Sequence, residues 1–349
     1  MPTFNRDELT HTVQHNCHIS DARYAGDLSL CTFLLKMREL YRWEHDIPLS
    51  QDMPRAEVGD WMNQRGQLWD GIEQAAYAPI PLASGPADPF ESSRINSQLL
   101  GHGLVYSGGY GRHCKPHFFL GELLRHEVRD GFDIYVTGRE YARDLEAPPG
   151  MFLDRTLFIR TEALRRWLWE KYEEWRWNRK NEAMGRAFAA HGFENDPEAA
   201  LDRMVVTEMQ SVILHELGEA QAGVQLGTAW EALIAEVFRS RAEIVVRAVR
   251  DLYADCLSTL PGLLARNDPA ALHFYFANFL GMRRTLFPAL AEAYGSWLES
   301  GDRHALADVV DQGWSHWRDT AWTLLALHAE LGEQAGTAIE ARLAPRRIA

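Results

Sequence analysis

From Thr161 to the C terminus, nearly every stretch repeats its apolar residues at helical spacing. No other feature limits the fold as much. Asp196-Pro197 and Asp268-Pro269 divide this half, each a capping side chain followed by a proline suited to the first turn of a helix. Gly301-Asp302 adds a further break. The pattern predicts a C-terminal helical bundle over residues 151–349.

Residues 1–150 read differently. An amphipathic helix is expected over 27–44, with Leu30, Leu34, Met37 and Tyr41 on one stripe. Further helices are expected over 66–77 and from Asp88-Pro89 to about Gly101. Glycines 101, 103, 108, 109 and 111 mark 101–117 as a loop able to carry function, with a helix resuming after Pro116. FDIYVTG (132–138) and TLFIR (156–160) have strand composition and suit a small paired sheet. The expected class is mainly α: a C-terminal helical bundle, with an N-terminal helical region carrying a small hairpin-like sheet (α+β).

The sharpest chemistry lies in a helix expected from Pro197 to about Ala222 and ended by Gly223. At about 100° per residue, Leu201, Met204, Val205 and Val212 form its apolar stripe. Glu208, His215 and Glu219 fall along the middle of that stripe. An ionised carboxylate is costly to bury unless it is paired or binds metal. Two carboxylates and an imidazole on one face are a donor set for iron or manganese, and bundles that hold such metals project Glu and His inward. The leading expectation is therefore a non-haem iron or manganese enzyme of oxidase or oxygenase type. One helix supplies only part of a coordination sphere, so Glu44, His18 and His117 are the candidates to complete it. His113, Cys114, Glu122 and His126 crowd the same glycine-rich region as His117.

Two alternatives use the same residues. His215-Glu216-Leu217-Gly218-Glu219 resembles the H-E-x-x-H zinc motif, with Glu219 in place of the second histidine. In that reading His215 and Glu219 bind zinc, and Glu216 is the catalytic base of a hydrolase. Otherwise the helix belongs to a non-catalytic interaction or cofactor-carrier protein. Glu208 and Glu219 would then pair with arginines such as Arg239 or Arg247, in a buried ion network.

The net charge of −13 argues against non-specific nucleic-acid binding. Twelve Trp, fifteen Phe and eleven Tyr suit a dry core and a pocket for an apolar or aromatic small molecule. A homo-oligomer is left open. Four cysteines without a C-x-x-C pair, no signal-like N terminus and no run of ~20 apolar residues point to reduced thiols in the cytoplasm and no membrane span.

Overall fold

The computed structural model describes residues 5–111 and 114–343, so His113 lies outside the described residues. The chain divides into two units, Met1–Glu170 and Lys171–Ala349. With about 67% helix and 13% strand, it is mainly α with some β.

In the first unit, Asn5 caps α1 (Arg6–Tyr24) by accepting from the Asp7 and Glu8 amides. α2 (Leu30–Glu44), α3 (Arg55–Ile72) and α4 (Ser92–Leu99) follow. Met37 and Tyr41 of the expected α2 stripe are buried, whereas Leu30 and Leu34 are exposed. Asp88 closes a turn onto the Phe90 amide before α4 begins.

The stretch read as a glycine-rich loop and a helix is instead the start of a sheet. β1 (Leu104–Tyr110), β2 (Pro116–Arg129), β3 (Phe132–Arg143), β4 (Gly150–Leu153) and β5 (Thr156–Arg160) are arranged β1-β2-β3-β5-β4. β3 and β5, the two strands legible in the sequence, pair in parallel; the other neighbours are antiparallel. The glycines mark close packing. A Cβ on Gly109 of β1 would come within 2.7 Å of Leu153 on β4. β1 and β4 are the two edges of the sheet, so it curls until its edges meet. Leu9, Val13 and Cys17 of α1 pack on one face with Tyr106, Phe118 and Leu120. Val105, Phe119, Tyr135 and Phe158 cluster on the other face, with Met151 and Leu153.

α5 (Thr161–Trp177) carries the chain into the second unit. There follow α6 (Glu182–His191), α7 (Pro197–Glu236), α8 (Arg241–Ala254), α9 (Leu260–Ala265), α10 (Pro269–Asn278), α11 (Gly281–Leu286), α12 (Pro288–Ser300), α13 (His304–Leu331) and α14 (Ala335–Leu343). Asp196 and Asp268 cap α7 and α10, accepting from Ala199 N at 3.1 Å and Ala270 N at 3.0 Å, each with proline at the helix start. α7 does not end at Gly223 as expected. It continues to Glu236, broken at Gly227, whose φ of 64° and ψ of −167° are not helical. Between α8 and α9, Asp255–Thr259 form a π-helical turn. α8 packs against both α7 and α13 around a core that includes Trp230, Tyr253, Phe287 and Trp317. Among the described residues, no helix is long and apolar enough to cross a membrane.

Candidate functional site

The residues singled out in the sequence fall in both units: His18, Glu44 and His117 in the first, Glu208, His215, Glu216 and Glu219 in the second.

His117 is the second residue of β2 and is buried. Its Nε2 lies 2.9 Å from Ser107 Oγ on β1, and its Nδ1 lies 3.2 Å from Asp144 Oδ2, just beyond β3. The sheet register makes this series. His117 is opposite Gly109, so Ser107 is the diagonal neighbour on the same face. All three side chains are buried, Ser107 completely. Burial works against the charged form of Asp144. The His117 hydrogen bond and the charges of His117 and Arg160 outweigh it and hold the carboxylate down at about 2. The second oxygen of Asp144 accepts the Ala147 amide at 2.8 Å, which fixes the carboxylate in place.

Further buried ionisable groups adjoin this series. Asp21 of α1 accepts the Leu145 amide, and burial and the Asp144 charge push its carboxyl well above the ordinary range. Burial and the same charges also raise the Cys17 thiol. Arg160, at the end of β5, sets its Nε 2.7 Å from Glu140 Oε1, and Arg166 takes the other oxygen of Glu140. Burial opposes ionisation of Glu140, but the two guanidiniums hold it down at about 2.

His18 and Glu44 are brought together, but through an arginine. Arg65 of α3 donates to both Glu44 oxygens, at 2.7 and 2.6 Å, and its other terminal nitrogen lies 2.7 Å from His18 Nε2. Trp61 Nε1 adds a 2.9 Å bond to Glu44. Burial and the Arg65 charge pull His18 down to about 3, so its ring is neutral.

In the second unit, His215 on α7 faces a carboxylate at each nitrogen: Glu219 Oε1 at 3.3 Å from Nε2, and Asp255 Oδ1 at 3.6 Å from Nδ1. Burial alone would lower the imidazole, yet these two carboxylates hold it well above the ordinary histidine range. Each carboxylate has a further cation. Arg250 reaches Glu219 at 3.0 Å, and Arg283 reaches Asp255 at 2.9 Å, where Tyr275 also donates at 2.8 Å. Asp255 is fully buried and opens the π-helical turn. Gly218 lets α7 approach this turn, since a Cβ there would stand 2.6 Å from the Ala254 carbonyl oxygen. The arginine partner of Glu219 is Arg250, where the sequence suggested Arg239 or Arg247.

Glu216 is pushed up to about 7 by burial, which the His215 charge partly offsets. Glu208, 1% exposed, has no hydrogen-bond partner at either oxygen among the described residues, and burial pushes it to about 8. Among the described residues, no group of three or more His, Cys, Asp or Glu side chains is arranged to hold a metal ion.

Sequence reasoning named His117 but missed Ser107 and Asp144. Neither stands in a local motif, and the only signal is cross-strand register.

Residues 8–160 match the N-terminal domain, and residues 165–346 the C-terminal domain, of a family of unknown function, DUF6866. No curated protein and no solved structure matches the chain.

Proposed function

The chain belongs to the DUF6866 family, and we propose that it is an acyl hydrolase or acyl transferase with Ser107 as nucleophile, His117 as base and Asp144 as the group that orients the base. The observation that carries this reading is the unbroken series Ser107 Oγ, His117 Nε2, His117 Nδ1 and Asp144 Oδ2, at 2.9 and 3.2 Å. A nucleophile in reach of a base that a third group holds is the general signature of covalent acyl transfer. An ionised Asp144 accepts the Nδ1 proton and so leaves the Nε2 lone pair for the Ser107 hydroxyl. Ser107 Oγ then attacks an acyl carbonyl, and its proton passes to His117 Nε2. The leaving group departs with that proton. A water or acceptor alcohol, deprotonated by the same nitrogen, releases the acyl group and restores the hydroxyl.

The iron, manganese and zinc expectations at His215 and Glu219 draw less support. A metal needs a free lone pair on His215, whose two nitrogens each face a carboxylate that also holds an arginine.

The test is a small fluorophosphonate applied to the full chain, followed by intact-protein mass spectrometry. One adduct on Ser107 is expected, absent from Ser107→Ala and formed about 100-fold more slowly in folded His117→Ala. Because Ser107 is covered in the structure, the rate also reads how often the site opens. A wild-type protein that stays unlabelled beside a labelled serine hydrolase would leave the series as a structural network.

A further inference from the structure

Beside the Ser107 series, buried arginines carry donors that no acceptor satisfies among the described residues. Arg143 and Arg160 are 2% and 0% exposed. Arg160 gives its Nε to Glu140, but its Nη1 and Nη2 reach no acceptor among the described residues. Arg143 uses Nε and Nη2 on the Asp144 and Leu145 carbonyls, while its Nη1 reaches none among the described residues. Glu140 is already shared with Arg166, whose other terminal nitrogen goes to Glu162 at 2.9 Å. Glu39 is engaged by Arg38 and Arg42.

Native interiors rarely leave buried donors unpaired, and a guanidinium is among the costliest groups to leave so. The Phe119 ring, 4.2 Å from the Arg160 guanidinium carbon, offsets part of that cost. A ring face does not replace two hydrogen bonds. The two terminal nitrogens of an arginine form a planar fork that matches the oxygens of a carboxylate or phosphate.

The sheet also sets where the fork lies. Phe119 is opposite Ser107 across β1 and β2, and opposite Arg143 across β2 and β3. Opposed residues of antiparallel strands share a face, so the ring under Arg160, the Ser107 hydroxyl and Arg143 belong to one side of the curled sheet.

We infer that Arg160, with Arg143, binds the oxyanion of a carboxylate- or phosphate-bearing ligand on that side, and that the acyl compound handled by Ser107 carries this group. As a binding site this stands on the arginines; as a statement of substrate class it rests on the proposed role of Ser107.

Isothermal titration of the full chain with inorganic phosphate, malonate and acetate tests it. Saturable binding of at least one of them is expected in wild type and in Ser107→Ala. Binding should weaken about tenfold or more in Arg160→Lys, the effect of losing one charge-assisted hydrogen bond, while a cation stays opposite Glu140. Binding of phosphate alone assigns a phosphate ligand; binding of malonate or acetate alone assigns a carboxylate. If Arg160→Lys fails to fold, Arg143→Lys is read in its place. A folded wild-type protein with no saturable heat from any of the three anions overturns the inference. So does full-strength binding in the folded lysine variant. Anion binding without fluorophosphonate labelling would keep this site and remove the nucleophile.

Discussion

Replacing Glu208 with glutamine should make the protein more stable at neutral pH. Its carboxyl is 1% exposed with no hydrogen-bond partner among the described residues, and burial raises it from an ordinary 4.5 to about 8. At pH 7 the folded state therefore holds a proton that the unfolded chain has released. Stability falls with pH wherever the folded state binds more protons than the unfolded one. The contribution of Glu208 is thus complete below the ordinary value and is lost as pH climbs through the raised one. Each pH step inside that window lowers stability by about 1.4 kcal/mol. The loss reaches roughly 3 kcal/mol at pH 7 and roughly 4 kcal/mol by pH 8. Glutamine keeps the shape and does not titrate, so Glu208→Gln should flatten the slope. The gain should be about 2–3 kcal/mol at pH 7 and small at pH 5. Urea unfolding of both proteins between pH 5 and pH 8, followed by circular dichroism, measures it. Identical slopes, or a less stable glutamine variant at pH 7, would refute the claim that the folded protein keeps Glu208 protonated.

Other expectations follow from the second unit. Gly218→Ala places a methyl group 2.6 Å from the Ala254 carbonyl oxygen; it should destabilise by about 1–3 kcal/mol, and an unchanged melting temperature would mean that α7 and the π-helical turn separate freely. His215 should stay protonated through neutral pH in a proton-detected imidazole titration, because its folded value is raised above the ordinary 6.5. Its contribution to stability is then complete below 6.5 and fades as pH rises through the raised value; a titration midpoint at the ordinary value would contradict this. Elemental analysis of protein purified without chelator or polyhistidine tag should find iron, manganese and zinc each below one per chain. A full equivalent that disappears in both His215→Ala and Glu219→Ala would establish a metal centre there instead.

The sequence was most informative where one local signal decides the outcome. Asp196-Pro197 and Asp268-Pro269 start helices because a capping carboxylate and a proline act within a single turn. Two parts of the first unit were harder to read. Gly108 and Gly109 suggested a loop, yet they lie inside a strand, as does Gly121 where a helix was expected. A Cβ on Gly121 would stand 2.5 Å from the Phe119 ring, so such glycines mark close approach within a sheet. Pro116 to Gly121 is buried throughout and lacks the alternation that identifies a strand. Ser107 and Asp144 are separated in sequence by most of three strands, and only the pairing of those strands joins them to His117. The stripe of Glu208, His215 and Glu219 flagged polar groups on a face expected to be apolar; Glu208 is fully buried and raised to about 8, whereas the His215 and Glu219 side chains are 36% and 28% exposed. The stripe could not disclose that Arg250 and Arg283 arrive from α8 and α11.

Gly227 has a consequence for relatives of this chain. Its φ of 64° and ψ of −167° lie in a region that essentially only glycine occupies. Every other amino acid is closed out there by its own Cβ, whatever the surroundings allow. Without the glycine, 197–226 and 228–236 would tend to run on as one straight rod, swinging Trp230 and Leu233 out of the core they now fill. Any descendant that keeps this helix path must therefore spell glycine at the break, which makes a position with no chemistry of its own one of the least free to drift.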